Sequence, residues 1–349
     1  MNKYRYFDSA AQYPMLPCAM ETYIKYAEIV GNPSSEHEMG KAARNALELA
    51  RREIANLLHC SESEIYFTSG STEACNLAVS CMANECVKLE RSPYEHHAVS
   101  EPLDSYVPYR NNPCSVGYAQ QLANNETGEI FLMPKGYNRI LCDATAALGH
   151  MKISLSKLDV SYLVGGAHKF GGGLGAGFLY ANKETEVVPM ILGGGQERGM
   201  RSGTENVPAI CAMATALEWQ IEHMEENTTR LTGMRDMLER ELLKIDGAVL
   251  NSPLHTRNCL PHILNISFLG VDAHALVLLL SKQEVMVSAG AACSNGLNEP
   301  SHVIMAMYND EARARSAIRI SLSHENTMGE CTYAILAITK AVNHLRGIS

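Results

Sequence analysis

Lys169 is the strongest candidate for a reactive side chain, because it lies in a glycine-rich stretch between two short apolar runs. The runs cover residues 162–164 and 178–180, and seven glycines stand between them. Short apolar runs bounded by glycine predict buried strands. A lysine held away from solvent at a strand end can act as an amine nucleophile toward carbonyl compounds. The alternative is a flexible glycine-rich turn that carries a solvated lysine.

Cys293 is a second candidate nucleophile, and it follows a short predicted strand at residues 285–288. Small residues surround it in the run Ala-Gly-Ala-Ala-Cys-Ser-Asn-Gly at residues 289–296. A cysteine on such a loop is exposed enough to react, since reactivity requires an accessible thiolate. The other ten of the eleven cysteines lie mostly in apolar contexts, where free cysteine usually fills space without reacting.

Two predicted strand ends could receive a ligand. A strand at residues 64–68 runs into Ser-Gly-Ser-Thr-Glu and then a helix, an arrangement that presents amide groups and a dipole end to an anion. Ser71 and Thr72 would add hydroxyl donors, although they could simply cap the helix. Asp143 ends a strand at residues 139–142, where open α/β sheets bind ligands, but it could also cap the segment that follows.

Further polar residues add to this candidate chemistry. Arg319 lies inside a short predicted strand, and a buried arginine needs a charged partner. Residues 124–128 predict a polar loop after a strand, and residues 193–204 form a second glycine-rich run. The adjacent histidines His96 and His97 would point in different directions on a strand or a helix, so a shared metal ion is not expected.

Helical patterns alternate with the predicted strands and would position these residues. Apolar residues recur at helical spacing from Ala43 to Leu58, and Ser35 with Glu38 fits a capping box before them. Residues 245–261 are rich in Asn, Pro and His, which predicts a link between two domains.

Length and charge restrict the class of protein. A chain of 349 residues can form one large and one smaller domain. Its net charge of −9 argues against a nucleic acid or an anionic membrane as the main partner. No run approaches the length of a membrane span, and the first residues show no apolar signal region. The scattered, odd number of cysteines does not suggest a disulfide framework, so a reducing cytoplasm is expected.

Taken together, these stretches resemble the cysteine desulfurases, the nitrogenase-type and iron–sulfur-cluster-type enzymes of the class V aminotransferase family. The resemblance covers residues 6–346. The motifs that carry it are Gly-Asn-Pro-Ser-Ser at 31–35, Thr-Ser-Gly-Ser-Thr-Glu at 68–73, Glu-His-His-Ala-Val at 95–99, Asn-Asn-Glu-Thr-Gly at 124–128, Asp-Ala-Thr at 143–145, Ala-His-Lys at 167–169, Gly-Gly-Gly-Gln-Glu-Arg-Gly-Met-Arg-Ser-Gly-Thr at 193–204 and Ser-Ala-Gly-Ala-Ala-Cys-Ser at 288–294. Each motif is weak alone, but all eight stand in the family's order.

The resemblance implies a fold and a domain arrangement. The fold would be α/β, the aspartate aminotransferase-like fold of transferases that depend on pyridoxal 5'-phosphate. A large domain at residues 14–250 would contain a mostly parallel seven-stranded sheet. A smaller α+β domain would combine residues 1–13 and 251–349 and would carry the cysteine loop. Members of the family are usually homodimers, with both sites near the interface.

The resemblance also implies roles for individual residues. Lys169 would hold pyridoxal phosphate as a Schiff base, Asp143 would pair with its pyridinium nitrogen, and His96 would stack on its ring and move protons. The remaining contacts are assigned as follows: Ser71, Thr72 and His168 to the phosphate, Thr204 to the phosphate in the other subunit, Asn125 to cofactor and substrate, and Arg319 to the substrate carboxylate in a two-pronged pair.

Cys293 would be the nucleophile that takes sulfur from L-cysteine, which leaves alanine and an enzyme persulfide. The sulfur would then pass to an acceptor protein for iron–sulfur cluster assembly, tRNA thiolation or cofactor synthesis. The long connection from Cys293 to Arg319 resembles that of the group whose cysteine loop swings widely to reach a partner. The resemblance implies no metal ion at the site.

Two positions depart from the family pattern. Ala146 stands where the family usually has a glutamine that donates to the cofactor's ring oxygen, and Gly166 stands where a phosphate-binding serine is usual. Ser71 could compensate for the second change. Two other functions stay open: a selenocysteine lyase or other β-lyase on the same scaffold, and, because of Ala146 and Gly166, a catalytically silent assembly protein.

Overall fold

A computed structural model describes residues 4–106, 115–253, 258–290 and 299–347. The chain divides into two compact units, and each is continuous in space but not in sequence. The first unit contains residues 1–13, 123–131 and 224–349, and the second contains residues 14–122 and 132–223. None of the helices in the described ranges combines the length and apolarity that a bilayer crossing requires.

The described residues form strands and helices that mostly follow the predicted pattern. The strands are β1 (Arg5–Tyr6), β2 (Ile65–Thr68), β3 (Lys88–Arg91), β4 (Val116–Gln121), β5 (Arg139–Asp143), β6 (Tyr162–Gly166), β7 (Gly177–Ala181), β8 (Ala248–Leu250), β9 (Ile263–Phe268), β10 (Val285–Met286), β11 (Ser288–Ala289) and β12 (Ala317–Ser321). The α-helices are α1 (Pro17–Ala27), α2 (Glu38–Leu58), α3 (Ser71–Glu85), α4 (His97–Ser105), α5 (Val207–Glu222), α6 (Met224–Leu242), α7 (Ala273–Lys282), α8 (His302–Tyr308), α9 (Glu311–Arg315) and α10 (Met328–Leu345).

The second unit is built around a sheet with the strand order β2-β7-β6-β5-β4-β3. Strands β6, β5, β4 and β3 are parallel, while β7 is antiparallel to both of its neighbours. The sheet is therefore mostly parallel, as predicted. It has six strands within the described residues, one fewer than the seven expected.

Burial explains why the central strands of this sheet read as apolar runs. Every residue of β6 and β7 is buried, and nine residues of α3 are buried above them. A parallel sheet covered on both faces requires such continuous hydrophobic strands. The carboxyl ends of β4, β5 and β6 consequently lie side by side, with Gln121 paired to Asp143 and Asp143 to Val164. This edge is where open α/β sheets bind ligands.

The first unit is α+β, as predicted. An antiparallel sheet runs in the order β11-β12-β9-β8, and β1 pairs in parallel with β10. All six residues of β9 are buried, and helices α6, α7 and α10 contribute apolar side chains to the same core. Strand β1 is thus held by β10, a strand much later in the sequence, and Asp8 also bridges to Ser321.

The two compact units differ from the predicted division at residues 123–131 and 224–250, which belong to the first unit. Helix α6 lies there because Leu231, Met234 and Leu238 pack into the core of that unit. The predicted link at residues 245–261 is therefore wrong in part, since it contains strand β8, which pairs with β9. Three residues are too few to show a strand periodicity in the sequence.

The predicted capping box before α2 is wrong. The N-cap residue is His37, whose Nδ1 accepts a hydrogen bond of 3.2 Å from the amide of Gly40. Glu38 instead pairs with Lys41 at 2.9 Å on the exposed surface of the helix. The Ser-x-x-Glu pattern was present, but the turn that precedes the helix runs two residues further than the pattern implied.

Candidate active site

Lys169 lies at the carboxyl end of β6, as the glycine pattern predicted. The strand ends at Gly166, and a short 3-10 turn, Ala167–Lys169, follows. The buried His150 fixes this turn, because its Nε2–H donates a hydrogen bond of 3.1 Å to the backbone oxygen of Lys169. Burial lowers the pKa of His150 to about 4, so its ring is neutral near pH 7. The lysine is therefore held by an ordered turn and not by a flexible one.

His168 lies close enough to Lys169 and His96 for their charges to affect its pKa. Burial lowers the pKa of His168 to about 4, and the charges of Lys169 and His96 act in the same direction. His96 is the N-cap of α4, where its Nδ1 accepts a hydrogen bond of 3.0 Å from the amide of Ala98. A neutral His96 ring in this orientation carries its proton on Nε2. The structure thus brings His96 close to His168 and Lys169, which are adjacent in the sequence.

Asp143 stands at the end of β5 and is buried. Its Oδ1 accepts a hydrogen bond of 2.9 Å from the amide of Thr145, so the predicted capping role is real but uses one oxygen of the carboxylate. Neighbouring Glu95 is also buried, and the amide of Gln121 donates a hydrogen bond of 2.6 Å to its Oε1. Two acidic groups therefore share the ends of adjacent strands. Sequence reasoning missed Glu95, although it directly precedes His96.

The stability of the fold should depend on pH through Glu95. Burial raises the pKa of Glu95 to about 8, and the charge of Asp143 adds to the effect. The folded state then keeps a proton that the unfolded state loses from about pH 4.5, so stability falls as the pH rises toward 8. We expect Glu95→Gln to remove this loss and to be more stable than the wild type by about 2–4 kcal/mol at pH 8.

Urea unfolding of the cofactor-free protein between pH 5 and pH 8 would measure this difference. Glu101→Gln is the matched control, since Glu101 lies on α4 with an exposed side chain. Parallel pH profiles for the wild type and Glu95→Gln would contradict the prediction.

The amino end of α3 forms a corner suited to an anion. Its N-cap residue is Gly70, which has no side chain, so Ser71 and Thr72 lie inside the helix and do not cap it. A Cβ atom at Gly166 would lie 3.1 Å from Ser71 Oγ and 3.2 Å from the ring of His168. The serine hydroxyl, the imidazole and the helix amides therefore meet at one place. The alternative that these hydroxyls merely cap the helix is wrong.

The glycine at position 177 explains how β7 reaches this corner. A Cβ atom there would lie 2.6 Å from the backbone of Gly70, closer than real side-chain atoms approach. Only glycine allows this contact between the start of β7 and the turn before α3. The same strand pairing sets Gly166 opposite Gly177.

These residues fit an aromatic phosphate such as pyridoxal phosphate. The helix end, Ser71 and His168 supply donors for the phosphate, and the Asp143 carboxylate can accept from a ring nitrogen. The Oγ1 atom of Thr145 is buried without a hydrogen-bond partner among the described residues. A buried hydroxyl normally has such a partner, so a ligand atom is a suitable one. Thr145 directly precedes Ala146, where the sequence departs from the family pattern.

The second glycine-rich run is tied to α3 by an ion pair. Arg201 donates to both oxygens of Glu73, at 2.7 and 3.1 Å, and Glu73 in turn accepts from Ser69. Thr204 lines a cavity of about 180 Å³ together with Arg201 and Ser69. The structure describes one chain, so the contact that Thr204 is expected to make with another subunit stays a prediction.

Glu197 anchors this run and was missed by sequence reasoning. Its carboxylate accepts two hydrogen bonds of 2.8 Å from the guanidinium of Arg51 and another of 2.8 Å from the amide of Phe67. Glu197 and Arg198 both adopt left-handed backbone conformations, which are uncommon outside glycine. The sequence could have indicated that Arg51 is buried, because Arg51 lies four residues after Leu47 and so on the same, buried face of α2.

Arg319 lies in the first unit and is almost completely buried in β12. Its Nη1 donates to the backbone oxygen of Asn125 at 2.9 Å, and its Nη2 donates to Asp8 at 2.8 Å. The predicted charged partner is therefore Asp8, which the sequence did not reveal. Nε of Arg319 has no hydrogen-bond partner among the described residues. A carboxylate that binds here would have this side of the guanidinium available.

Cys293 lies outside the described residues, and the structure assigns it no position. The nine described cysteines are all free thiols: Cys18, Cys60, Cys75, Cys81, Cys86, Cys142, Cys211, Cys259 and Cys331. Burial raises the pKa of each of these thiols. A raised pKa reduces the thiolate fraction, so these nine are poor nucleophiles, as predicted.

Comparison with known proteins identifies the family. The model of the class-V aminotransferases matches residues 5–107 and 118–333. A cysteine desulfurase IscS of Dictyoglomus turgidum is 35% identical over an alignment that covers 100% of this chain and 97% of the relative. The chain belongs to the cysteine desulfurases of the class-V aminotransferase family.

Solved structures agree with this membership and with the fold. A NifS-like protein superimposes with a TM-score of 0.86 at 31% identity, and the match covers 98% of this chain and 100% of the other. A structure described as SspA in complex with cysteine matches with a TM-score of 0.73 at 27% identity, over 91% of this chain and 98% of the other. The predicted fold of pyridoxal-phosphate-dependent transferases is therefore confirmed.

Proposed function

We propose that this enzyme removes sulfur from L-cysteine, releases L-alanine and keeps the sulfur as a persulfide on Cys293. Membership of the cysteine desulfurases supports the reaction class. The observation that carries the proposal is the cluster at the strand ends of the second unit, where Lys169, His168 and His96 interact and Asp143 ends the adjacent strand. One amine, one carboxylate and an anion-binding helix end are the parts that a pyridoxal-phosphate site needs.

The residues of the second unit would hold pyridoxal phosphate in a defined way. Lys169 would bind its aldehyde carbon, Asp143 would accept from its ring nitrogen, and His96 would cover its ring. When bound, this group supplies an electron sink for the bonds of an attached amino acid. Because Nδ1 of His96 accepts the N-cap hydrogen bond, a neutral His96 ring carries its proton on Nε2. This Nε2–H would be the proton available at that face of the cofactor ring.

The phosphate would lie at the amino end of α3. Ser71, Thr72 and His168 would surround it, and Thr204 would reach the phosphate of the other subunit in a homodimer. The hydroxyl of Ser71 supports this proposal, because it lies beside the space left by the missing side chain of Gly166. A serine is therefore present at this corner even though position 166 lacks one.

The substrate carboxylate would be bound by residues of the first unit. Asn125 and Arg319 would bind it, and the unpartnered Nε of Arg319 supports a pair formed with the side of the guanidinium. Asp8 accepts one N–H of Nη2 and the backbone oxygen of Asn125 accepts one N–H of Nη1, so the substrate carboxylate would use the remaining N–H groups of the guanidinium.

The sulfur transfer itself would be carried out by the thiolate of Cys293. It attacks the sulfur of the bound cysteine, a new S–S bond forms, and the C–S bond breaks. The electron pair of the C–S bond stays with the carbon, which takes up a proton and becomes the methyl group of alanine. The nine described thiols with raised pKa values support Cys293 as the reacting cysteine, because they are poor competitors.

The persulfide would pass to an acceptor protein of iron–sulfur cluster assembly or of tRNA or cofactor thiolation. The enzyme would act in the cytoplasm as a homodimer. Nine described cysteines without a disulfide agree with a reducing compartment.

Incubation of the holoenzyme with L-cysteine alone tests this proposal. We expect the peptide that contains Cys293 to gain the mass of one sulfur atom and one alanine to be released for each persulfide. Cys293→Ser should form neither product while it retains the visible absorption of the cofactor. Desulfuration by Cys293→Ser at the wild-type rate, or full activity of Cys293→Ala on selenocysteine alone, would favour the lyase alternative. A protein with no cofactor absorption would favour the silent assembly protein.

A further inference from the structure

Glu126 is a completely buried carboxylate that the proposed reaction does not use. It lies in the Asn124–Gly128 turn, where the side chain of Asn124 accepts from the amides of Glu126 and Thr127 at 2.9 and 2.8 Å. Asn265 of β9 donates to the backbone oxygen of Glu126 at 3.2 Å. These hydrogen bonds fix the backbone at Glu126, and they therefore also fix the direction of its Cα–Cβ bond.

The carboxylate of Glu126 meets two residues that are distant in sequence. The Ser301 hydroxyl donates a hydrogen bond of 2.6 Å to Glu126 Oε2 and also accepts from the amide of Ile304, as the N-cap of α8. A Cβ atom at Gly290 would lie 3.9 Å from Glu126 Oε2 and 3.7 Å from the Cβ of Ser301. Gly290 and Ser301 are therefore neighbours in space.

Burial of a carboxylate to accept a hydrogen bond from a serine carries a large desolvation cost. An amide or a hydroxyl could accept from Ser301 at a lower cost of desolvation. The second oxygen, Oε1, is buried and has no hydrogen-bond partner among the described residues. A buried polar oxygen normally has a hydrogen-bond partner, so one that lacks it calls for an explanation. The preceding residue, Asn125, accepts from Arg319, so one turn contacts both the substrate-binding arginine and Ser301.

We propose that Glu126 is a positioning residue for sulfur transfer. Its carboxylate accepts a hydrogen bond from Ser301 and lies beside Gly290, and the chain between these two residues carries Cys293. Glu126 thereby fixes the two points from which Cys293 is presented, relative to the arginine that binds the substrate carboxylate. This inference rests on the proposed function of Cys293 as the nucleophile.

The test compares the holoenzymes of the wild type, Glu126→Gln and Ser301→Ala in single turnovers with L-cysteine. We expect persulfide formation on Cys293 to slow by at least about tenfold in both variants. The change in visible absorption on adding cysteine, which reports substrate binding, should keep its rate within about twofold. Alkylation of Cys293 by iodoacetamide without cysteine should also change in rate, because the two anchor points are no longer held.

Two matched variants separate this role from general damage. Glu129→Gln makes the same substitution in the same region of the chain, and Asp310→Ala removes an N-cap bond from the neighbouring helix α9. Both should behave like the wild type. The double variant Glu126→Gln/Ser301→Ala should be no slower than either single variant, since both remove one interaction.

Several outcomes would overturn the inference. Wild-type rates of persulfide formation in both Glu126→Gln and Ser301→Ala would do so, as would equal slowing of the absorption change and of persulfide formation. If Glu126→Gln does not fold, Ser301→Ala against Asp310→Ala still decides the question. A wild type that forms no persulfide on Cys293 would reject the proposed function itself, whereas matching rates with an active wild type reject only the role of Glu126.

Discussion

Replacing Lys169 with alanine is expected to lower the rate of cysteine desulfuration by at least about 10³-fold. The turn that carries Lys169 is fixed by His150 at the end of a completely buried strand, so the variant should fold. Alanine cannot bind the aldehyde of the cofactor or move protons at that position. Borohydride reduction followed by peptide mass measurement should place the cofactor on Lys169 in the wild type and nowhere in the variant.

Lys157→Ala provides the control for this experiment, because Lys157 lies in the same unit and its side chain is exposed. It should leave both the activity and the reduced adduct unchanged. Retention of the adduct in Lys169→Ala, with activity near that of the wild type, would mean that another amine holds the cofactor.

Removing the carboxylate of Glu197 is expected to destabilise the protein by about 3–5 kcal/mol. Glu197→Ala would leave the guanidinium of Arg51 buried without its main partner, since the side chains of both residues are at most 3% exposed. The amide of Phe67 would lose its acceptor at the same time. Urea unfolding at neutral pH measures the free-energy difference.

The adjacent residue in α2 offers a matched comparison. Arg52 pairs with Glu62 at 3.0 Å, but both side chains are about half exposed. Glu62→Ala should therefore cost no more than about 1 kcal/mol, because water screens this pair and replaces its hydrogen bonds. Equal destabilisation by Glu62→Ala and Glu197→Ala would show that burial of the Arg51 pair contributes nothing.

The sequence was sufficient to predict the residues that stand at strand ends. Lys169 and Asp143 each follow a short apolar run, and the position of such a residue on a parallel sheet follows from the strand alone. Their arrangement on adjacent strands then follows from the strand order. His96 could be named only through its motif, because nothing in its immediate neighbours distinguishes it from His97.

The partners of these residues could not be predicted, because long-range packing selects them. Asp8 reaches Arg319 from the other end of the chain, and Ser301 reaches Glu126 across 175 residues. Local patterns also gave a wrong start for α2, where His37 and not Ser35 is the N-cap. Arg51 could have been recognised as half of a buried ion pair, because it stands at helical spacing from apolar residues. Its partner Glu197 could not be identified in the same way.

The pairing of β1 with a strand much later in the sequence has a consequence for biosynthesis. Strand β1 pairs with β10, Asp8 bonds to Arg319, and Asp8 also bridges to Ser321. Residues 5 and 6 therefore find β10 only after residue 286 has been synthesised, and Asp8 finds Arg319 and Ser321 later still. Residues 14–122 and 132–223 are synthesised before these partners and can fold as a nascent unit, so the contacts of residues 5–8 complete the other unit at a later stage of synthesis.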